Sequence, residues 1–77
     1  MRNPTLIKRS VRIAGHPTSI SLEAPFWEAL RQIAVLRRQS LNGLLAVIDA
    51  ERRGNLSSAI RLYVLDWLRN HPVDRNA

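Results

Sequence analysis

Polar and apolar residues alternate with period two over much of the first quarter of the chain. Val11 and Ile13 alternate with Ser10 and Arg12, and Thr18, Ile20 and Leu22 alternate with Ser19 and Ser21. Such alternation, rich in β-branched residues, predicts a strand with one buried face. Gly15 and His16 interrupt the pattern, and Gly15 reads as a bulge or bend between two half-strands. No other segment has this period. A lone strand leaves its backbone N–H and C=O groups unpaired, which is costly once they are buried. The pattern therefore predicts that a second copy of the chain supplies the pairing strand.

Downstream the period changes to that of a helix. Pro25 suits a first helical turn, and Phe26, Leu30, Ile33 and Ala34, with Trp27 beside them, predict a first helix over 25–38. Glu28 near its start and Arg37 and Arg38 near its end match the helix dipole. Ser40 is a candidate N-cap for a second helix over 41–53, whose apolar stripe is Leu41, Leu44, Leu45 and Ile48. Gly54 fits a left-handed cap at its end. Asn55 caps a third helix over 56–70, with Leu56, Ala59 or Ile60, Tyr63, Val64, Trp67 and Leu68 as its stripe, and His71-Pro72 ends it. Three regions are expected: a flexible basic arm over 1–8, one folded domain over 9–70, and a frayed tail over 71–77.

Composition narrows the chemistry. A 77-residue chain with 45% hydrophobic residues has material for one core, yet such small domains usually need a staple. There is no cysteine, and His16 and His71 lie far apart, so neither a disulfide nor a metal site is expected and oligomerisation remains. The net charge is +6 and unevenly spread. Arg2, Lys8, Arg9 and Arg12 stand in the first sixteen residues with no acid, whereas the remaining eight of the twelve basic residues face all six acids. A basic N-terminal stretch ahead of a nearly balanced body points to a polyanionic partner, or else to a solvated tail. Arg52, Arg53, Arg61 and Arg69 read as solvated helix faces. No apolar run is long enough to span a membrane and no secretory h-region follows the basic residues, so a cytoplasmic, nucleoid-associated location is expected. Nothing resembles a nucleophile–base pair, a glycine-rich phosphate loop or a metal cluster, so neither an enzyme nor a cofactor is expected.

The run Thr18-Ser-Ile-Ser-Leu22, the helix over 25–38 and Ser40-Leu41-Asn42 resemble ribbon–helix–helix DNA-binding domains of the Arc and methionine repressor type. The longer run from Arg9 to Glu23, with Gly54-Asn-Leu-Ser-Ser-Ala59, is similar to a short bacterial single-domain group of that class. The resemblance covers roughly residues 8–70. It implies a mainly α fold with one strand per chain, two chains sharing an antiparallel ribbon, and a third helix added at the C-terminus. It further implies a dimer core of Ile20, Leu22, Leu30, Ile33, Leu44, Leu45 and Ile48. Ser19 and Ser21, with Pro17, face the DNA major groove from the ribbon, and Ser19 lies near the twofold axis. Arg9, Arg12 and His16 act as an extended ribbon or arm, and the backbone N–H groups of Ser40, Leu41 and Asn42 meet a phosphate. Two features depart from the family. Serines stand where long polar or basic residues are common on the ribbon, and Arg38-Gln39-Ser40 replaces a turn that often holds glycine.

The function implied is that of a dimeric transcriptional regulator, a repressor, bound to double-stranded DNA, with higher-order assembly on DNA left open. Two other readings stay open. An antitoxin would also bind DNA and hold a toxin with its C-terminal tail, although few residues follow the third helix. A protein-interaction module would keep the fold without binding DNA, using the outer face of the third helix.

Overall fold

The alternating segment turns back on itself at Ala14-Gly15. In the computed structural model, which describes residues 5–71, β1 (Leu6–Ile13) and β2 (His16–Glu23) form an antiparallel hairpin. Three helices follow: α1 (Ala24–Leu36), α2 (Leu41–Glu51) and α3 (Leu56–Asn70). Both turn residues have positive φ, 51° at Ala14 and 84° at Gly15. A two-residue turn of this kind matches the right-handed twist of the strands it joins. Gly15 enters that region freely, and Ala14 is the strained member. The Arg12 guanidinium braces the turn by donating to the Gly15 carbonyl at 3.0 Å.

The hairpin corrects two expectations. There are two strands per chain rather than one, and β1 begins at Leu6, inside the segment expected to be a loose arm. The interruption at Gly15 is a reversal between separate strands. Because β1 satisfies one edge of β2, a second copy is not needed for that pairing. Residues 1–4 of the arm and 72–77 of the tail lie outside the described residues.

The register fixes the two faces of the hairpin. Ile7 is opposite Leu22, Val11 opposite Thr18 and Ile13 opposite His16, so these pairs share the inner face. Ile13, Ile20 and Leu22 are buried there against Trp27, Leu30, Ile33 and Ala34 of α1, Leu44, Leu45 and Ile48 of α2, and Ile60 and Val64 of α3. All seven residues expected in a core between two subunits are thus already buried within one. Trp27 is more deeply buried than Phe26 and ties α1 to β1, its indole N–H donating to the Ile7 carbonyl at 2.9 Å. Leu68, expected on the inner stripe of α3, points outward with Leu62 and Leu65.

The helix ends differ from expectation in instructive ways. α1 stops at Leu36, so Arg37 and Arg38 lie in its cap and not its last turn, and no acid lies in its first turn. Arg38 has φ 57°, with Gln39 N–H donating to Ala34 O at 2.9 Å and Arg38 N–H to Val35 O at 3.1 Å. This paired pattern is a Schellman cap, with arginine where glycine is usual. α2 ends at Glu51, and Gly54 is not left-handed. Its end is held instead by Arg52, which donates to the Asp49 carboxylate at 2.7 Å. Ser40 and Asn55 do cap α2 and α3, accepting from Gly43 N–H at 2.9 Å and Ser58 N–H at 3.2 Å. A Cβ at Gly43 would sit 3.1 Å from the Ser40 hydroxyl oxygen, so glycine there keeps the cap uncrowded.

The left-handed arginine makes a stability prediction. Arg38→Gly removes a Cβ–carbonyl clash and adds chain entropy to the unfolded state, for a net gain of about 0.5–1 kcal/mol. Thermal denaturation followed by circular dichroism should show Tm rising by a few degrees; an unchanged or lower Tm would contradict the assigned cap.

Candidate nucleic-acid interface

Side chains alternate across a strand, so the residues opposite the core form one outer face. Lys8 is opposite Ser21, Ser10 opposite Ser19 and Arg12 opposite Pro17. These six side chains form a polar sheet surface with two cations and no acid. All are exposed except Ser21, which is half-buried. The hairpin's single acid, Glu23, lies at the far end of this face and is held by α3. Arg61 grips its carboxylate through two hydrogen bonds of 3.0 and 3.3 Å.

Of the residues expected at this site, Ser19, Ser21, Pro17 and Arg12 share the face. Arg9 and His16, also expected there, do not. Arg9 is opposite Ile20 on the inner side, its guanidinium lying over the Trp27 ring at 5.5 Å from the centroid. His16 is opposite Ile13, beside the turn. Lys8 and Ser10, not among the expected residues, also lie on the face. The signal for them was present, because Lys8, Ser10 and Arg12 follow the same period of two as Val11 and Ile13. Once β1 is recognised as a strand, they fall on its polar side.

The first turn of α2 meets this face. Asn42 lines one shallow groove together with Ser10, Val11, Arg12 and Pro17. The expected anion site at Ser40-Leu41-Asn42 therefore borders the turn end of the hairpin, beside Arg12. Ser40 uses its oxygen to accept from Gly43 N–H, which leaves its hydroxyl proton free to donate. Leu41 is partly buried against the core, so only its backbone N–H is available. The N-terminus of a helix favours anions through its unpaired N–H groups and its dipole. The arrangement thus combines a polar strand surface, two cations and a helix N-terminus. Among the described residues no group of acids, histidines or cysteines is arranged to hold a metal ion, and no helix is long and apolar enough to cross a membrane.

The grip of Arg61 holds the Glu23 carboxyl below its ordinary value of 4.5. A carboxylate whose folded value is depressed adds stability above its unfolded value, and that contribution is lost as pH falls through the folded one. Wild-type Tm should therefore fall more steeply than that of Glu23→Gln as pH is lowered from about 5 to about 3. Parallel Tm profiles for the two proteins would show that the ion pair is energetically silent.

Residues 6–68 match the family described as Ribbon-helix-helix domain, a span that starts with β1 and ends within α3. Neither a curated protein nor a solved structure matches the chain. At the level of the family, ribbon–helix–helix domains are DNA-binding regulators, generally not enzymes, that typically bind DNA as dimers. The match covers well over half of the sequence: the chain belongs to the ribbon–helix–helix domain family.

Proposed function

We infer that this chain is a dimeric transcriptional repressor that reads duplex DNA with the outer face of its hairpin. The observation that carries this reading is the face itself: Lys8, Ser10, Arg12, Pro17, Ser19 and Ser21 in register, all but Ser21 exposed, with the one acid of the face, Glu23, tied to Arg61 at its far end. In the dimer, the outer edge of β2 pairs with the same edge of a second copy, giving a four-stranded sheet with β1 on each flank. Such a sheet is about 14 Å across its strand axes, slightly wider than the roughly 12 Å major groove. The two central strands enter the groove with Ser19 and Ser21 toward base edges. The flanking strands lie over the groove walls, where Lys8 and Arg12 meet phosphates. Ser40, Leu41 and Asn42 hold a further phosphate at the N-terminus of α2.

Serine hydroxyls donate to or accept from several bases, so most of the affinity comes from phosphates and the sequence preference is shallow. Arg9 takes no part in this reading, because its guanidinium packs on Trp27. The outward leucines of α3, Leu62, Leu65 and Leu68, favour a second use of the same domain in holding a protein partner. A partner that stays bound after nuclease treatment would support that use.

Fluorescence anisotropy with mixed-sequence duplexes tests the reading. Binding should be tight at low salt and weaken steeply as salt rises. Lys8→Ala and Arg12→Ala should weaken binding to all sequences, each reducing the salt slope by about one for every phosphate left without its cation. Arg9→Ala should leave the slope unchanged and cost at most about 1 kcal/mol of stability. Replacing Ser19 or Ser21 should change the preferred sequence, by about 1 kcal/mol at a contacted base pair, the low end for a direct base contact. Absence of binding at low salt would overturn the assignment.

A further inference from the structure

The outer edge of β2 carries a definite pattern of free hydrogen-bonding groups. In a hairpin closed by a two-residue turn, Ile13 and His16 form the first hydrogen-bonded pair. His16, Thr18, Ile20 and Leu22 then bond to β1, and the backbones of Pro17, Ser19 and Ser21 face outward. Two independent features agree with that phase. Pro17, which has no N–H, stands at an outward position, as a proline in a strand must. The Ser21 carbonyl also points away from β1, since it accepts from the Ser57 hydroxyl of α3 at 3.3 Å. The groups left open are the Pro17 carbonyl, the Ser19 N–H, the Ser19 carbonyl and the Ser21 N–H. Among the described residues none of the four has another partner.

We propose that Ser57 sets the register in which two copies of this chain join, by occupying the Ser21 carbonyl so that the remaining edge matches itself only about Ser19. This rests on the dimeric reading above and goes beyond it by assigning the register to a residue of α3. Read in chain order, the open groups run acceptor, donor, acceptor, donor. Turned antiparallel about Ser19, every donor meets an acceptor. Ser19 exchanges both bonds with its twin, and each Ser21 N–H reaches the opposite Pro17 carbonyl. The donor that Pro17 lacks is not missed, because the carbonyl it would serve is the one Ser57 already serves. A shift that places Ser19 opposite Ser21 makes the Ser19 N–H share that carbonyl with the Ser57 hydroxyl, beside the first turn of α3, so its bond is weakened. A shift the other way leaves the Ser19 carbonyl facing a proline. An unmatched backbone group in a sheet is costly, so register is strongly selected.

The chain contains no cysteine, so single cysteines report the register cleanly. Ser19→Cys sets two thiols opposite each other with Cα atoms about 5.5 Å apart, within the range a disulfide spans. Ser21→Cys sets them about 14 Å apart, beyond it. On mild oxidation Ser19→Cys should form a covalent dimer. A mixture of Ser19→Cys and Ser21→Cys should give about tenfold less of the mixed disulfide, the factor expected when two Ser19 N–H groups, one from each chain, each have a weakened hydrogen bond. In a Ser57→Ala background that ratio should fall toward one, and in Ser57→Thr it should recover. If Ser57→Ala does not fold by circular dichroism, Ser57→Val against Ser57→Thr makes the same comparison at matched shape. Predominance of the mixed or the Ser21→Cys product in the parent chain would overturn the register. An unchanged ratio in a folded variant without the hydroxyl would overturn the role of Ser57. Sedimentation of the parent chain as a monomer would instead contradict the dimeric reading itself.

Discussion

The constraint on which this fold depends is the pairing of the backbone of β2. A strand has two edges, and every outward N–H and C=O must find a partner or remain in water. β1 serves one edge, turned back by Ala14-Gly15. The core forms beneath the hairpin once that pairing exists, because the register puts Ile7, Val11 and Ile13 on the same side as Ile20 and Leu22. α1 closes over that side through Trp27, and α2 and α3 complete the layer. The opposite edge of β2 is touched only near its end by α3, through Ser57 and the Glu23–Arg61 ion pair. A small domain that buries its own core and leaves the strand edge from Pro17 to Ser21 open is suited to joining a twin there.

The same pairing organises the electrostatics. Putting the apolar residues of both strands inward puts Lys8 and Arg12 outward, flanking Ser19 and Ser21. The nearby acid is held at the end of the face by Arg61. Arg9, one residue away from Lys8, lies on the other face, where it stays exposed with its guanidinium over the Trp27 ring. Adjacent cations in the sequence therefore stand on opposite faces, set by the parity of the strand. The N-terminus of α2 reaches the same surface through Asn42, so backbone dipoles and side-chain charges converge where β1 meets the turn.

Much of this was legible in the sequence. Pro25 in the first turn of α1, the caps Ser40 and Asn55, and the stripe Leu41, Leu44, Leu45 and Ile48 are local signals with a single physical reading. The hairpin was harder for a specific reason. Inward residues are odd-numbered before Gly15 and even-numbered after it, a change of phase that a two-residue turn requires but a bulge also produces. Ala-Gly is a weaker turn signal than Asn-Gly or Asp-Gly, since alanine resists positive φ. Arg9 at an inward position further disguised β1, because its place over Trp27 depends on a partner far along the sequence. Ser10 stands on the polar side of the alternation, but without a reversal at Gly15 nothing in the sequence sets it opposite Ser19, or Lys8 opposite Ser21. The end of α1 is not marked in the sequence, because the left-handed residue there is Arg38 and not glycine.

A hairpin within the chain and a ribbon between chains are reported separately by the amides of β2. Ile20 and Leu22 donate to β1, whereas Ser19 and Ser21 donate outward. Backbone hydrogen exchange resolved by residue, at concentrations spanning the monomer–dimer equilibrium, measures both. Protection of Ile20 and Leu22 throughout, with protection of Ser19 and Ser21 that grows with concentration, is the result predicted. Free exchange at Ser19 and Ser21 at every concentration, with Ile20 and Leu22 still protected, would contradict the pairing of two chains along this edge.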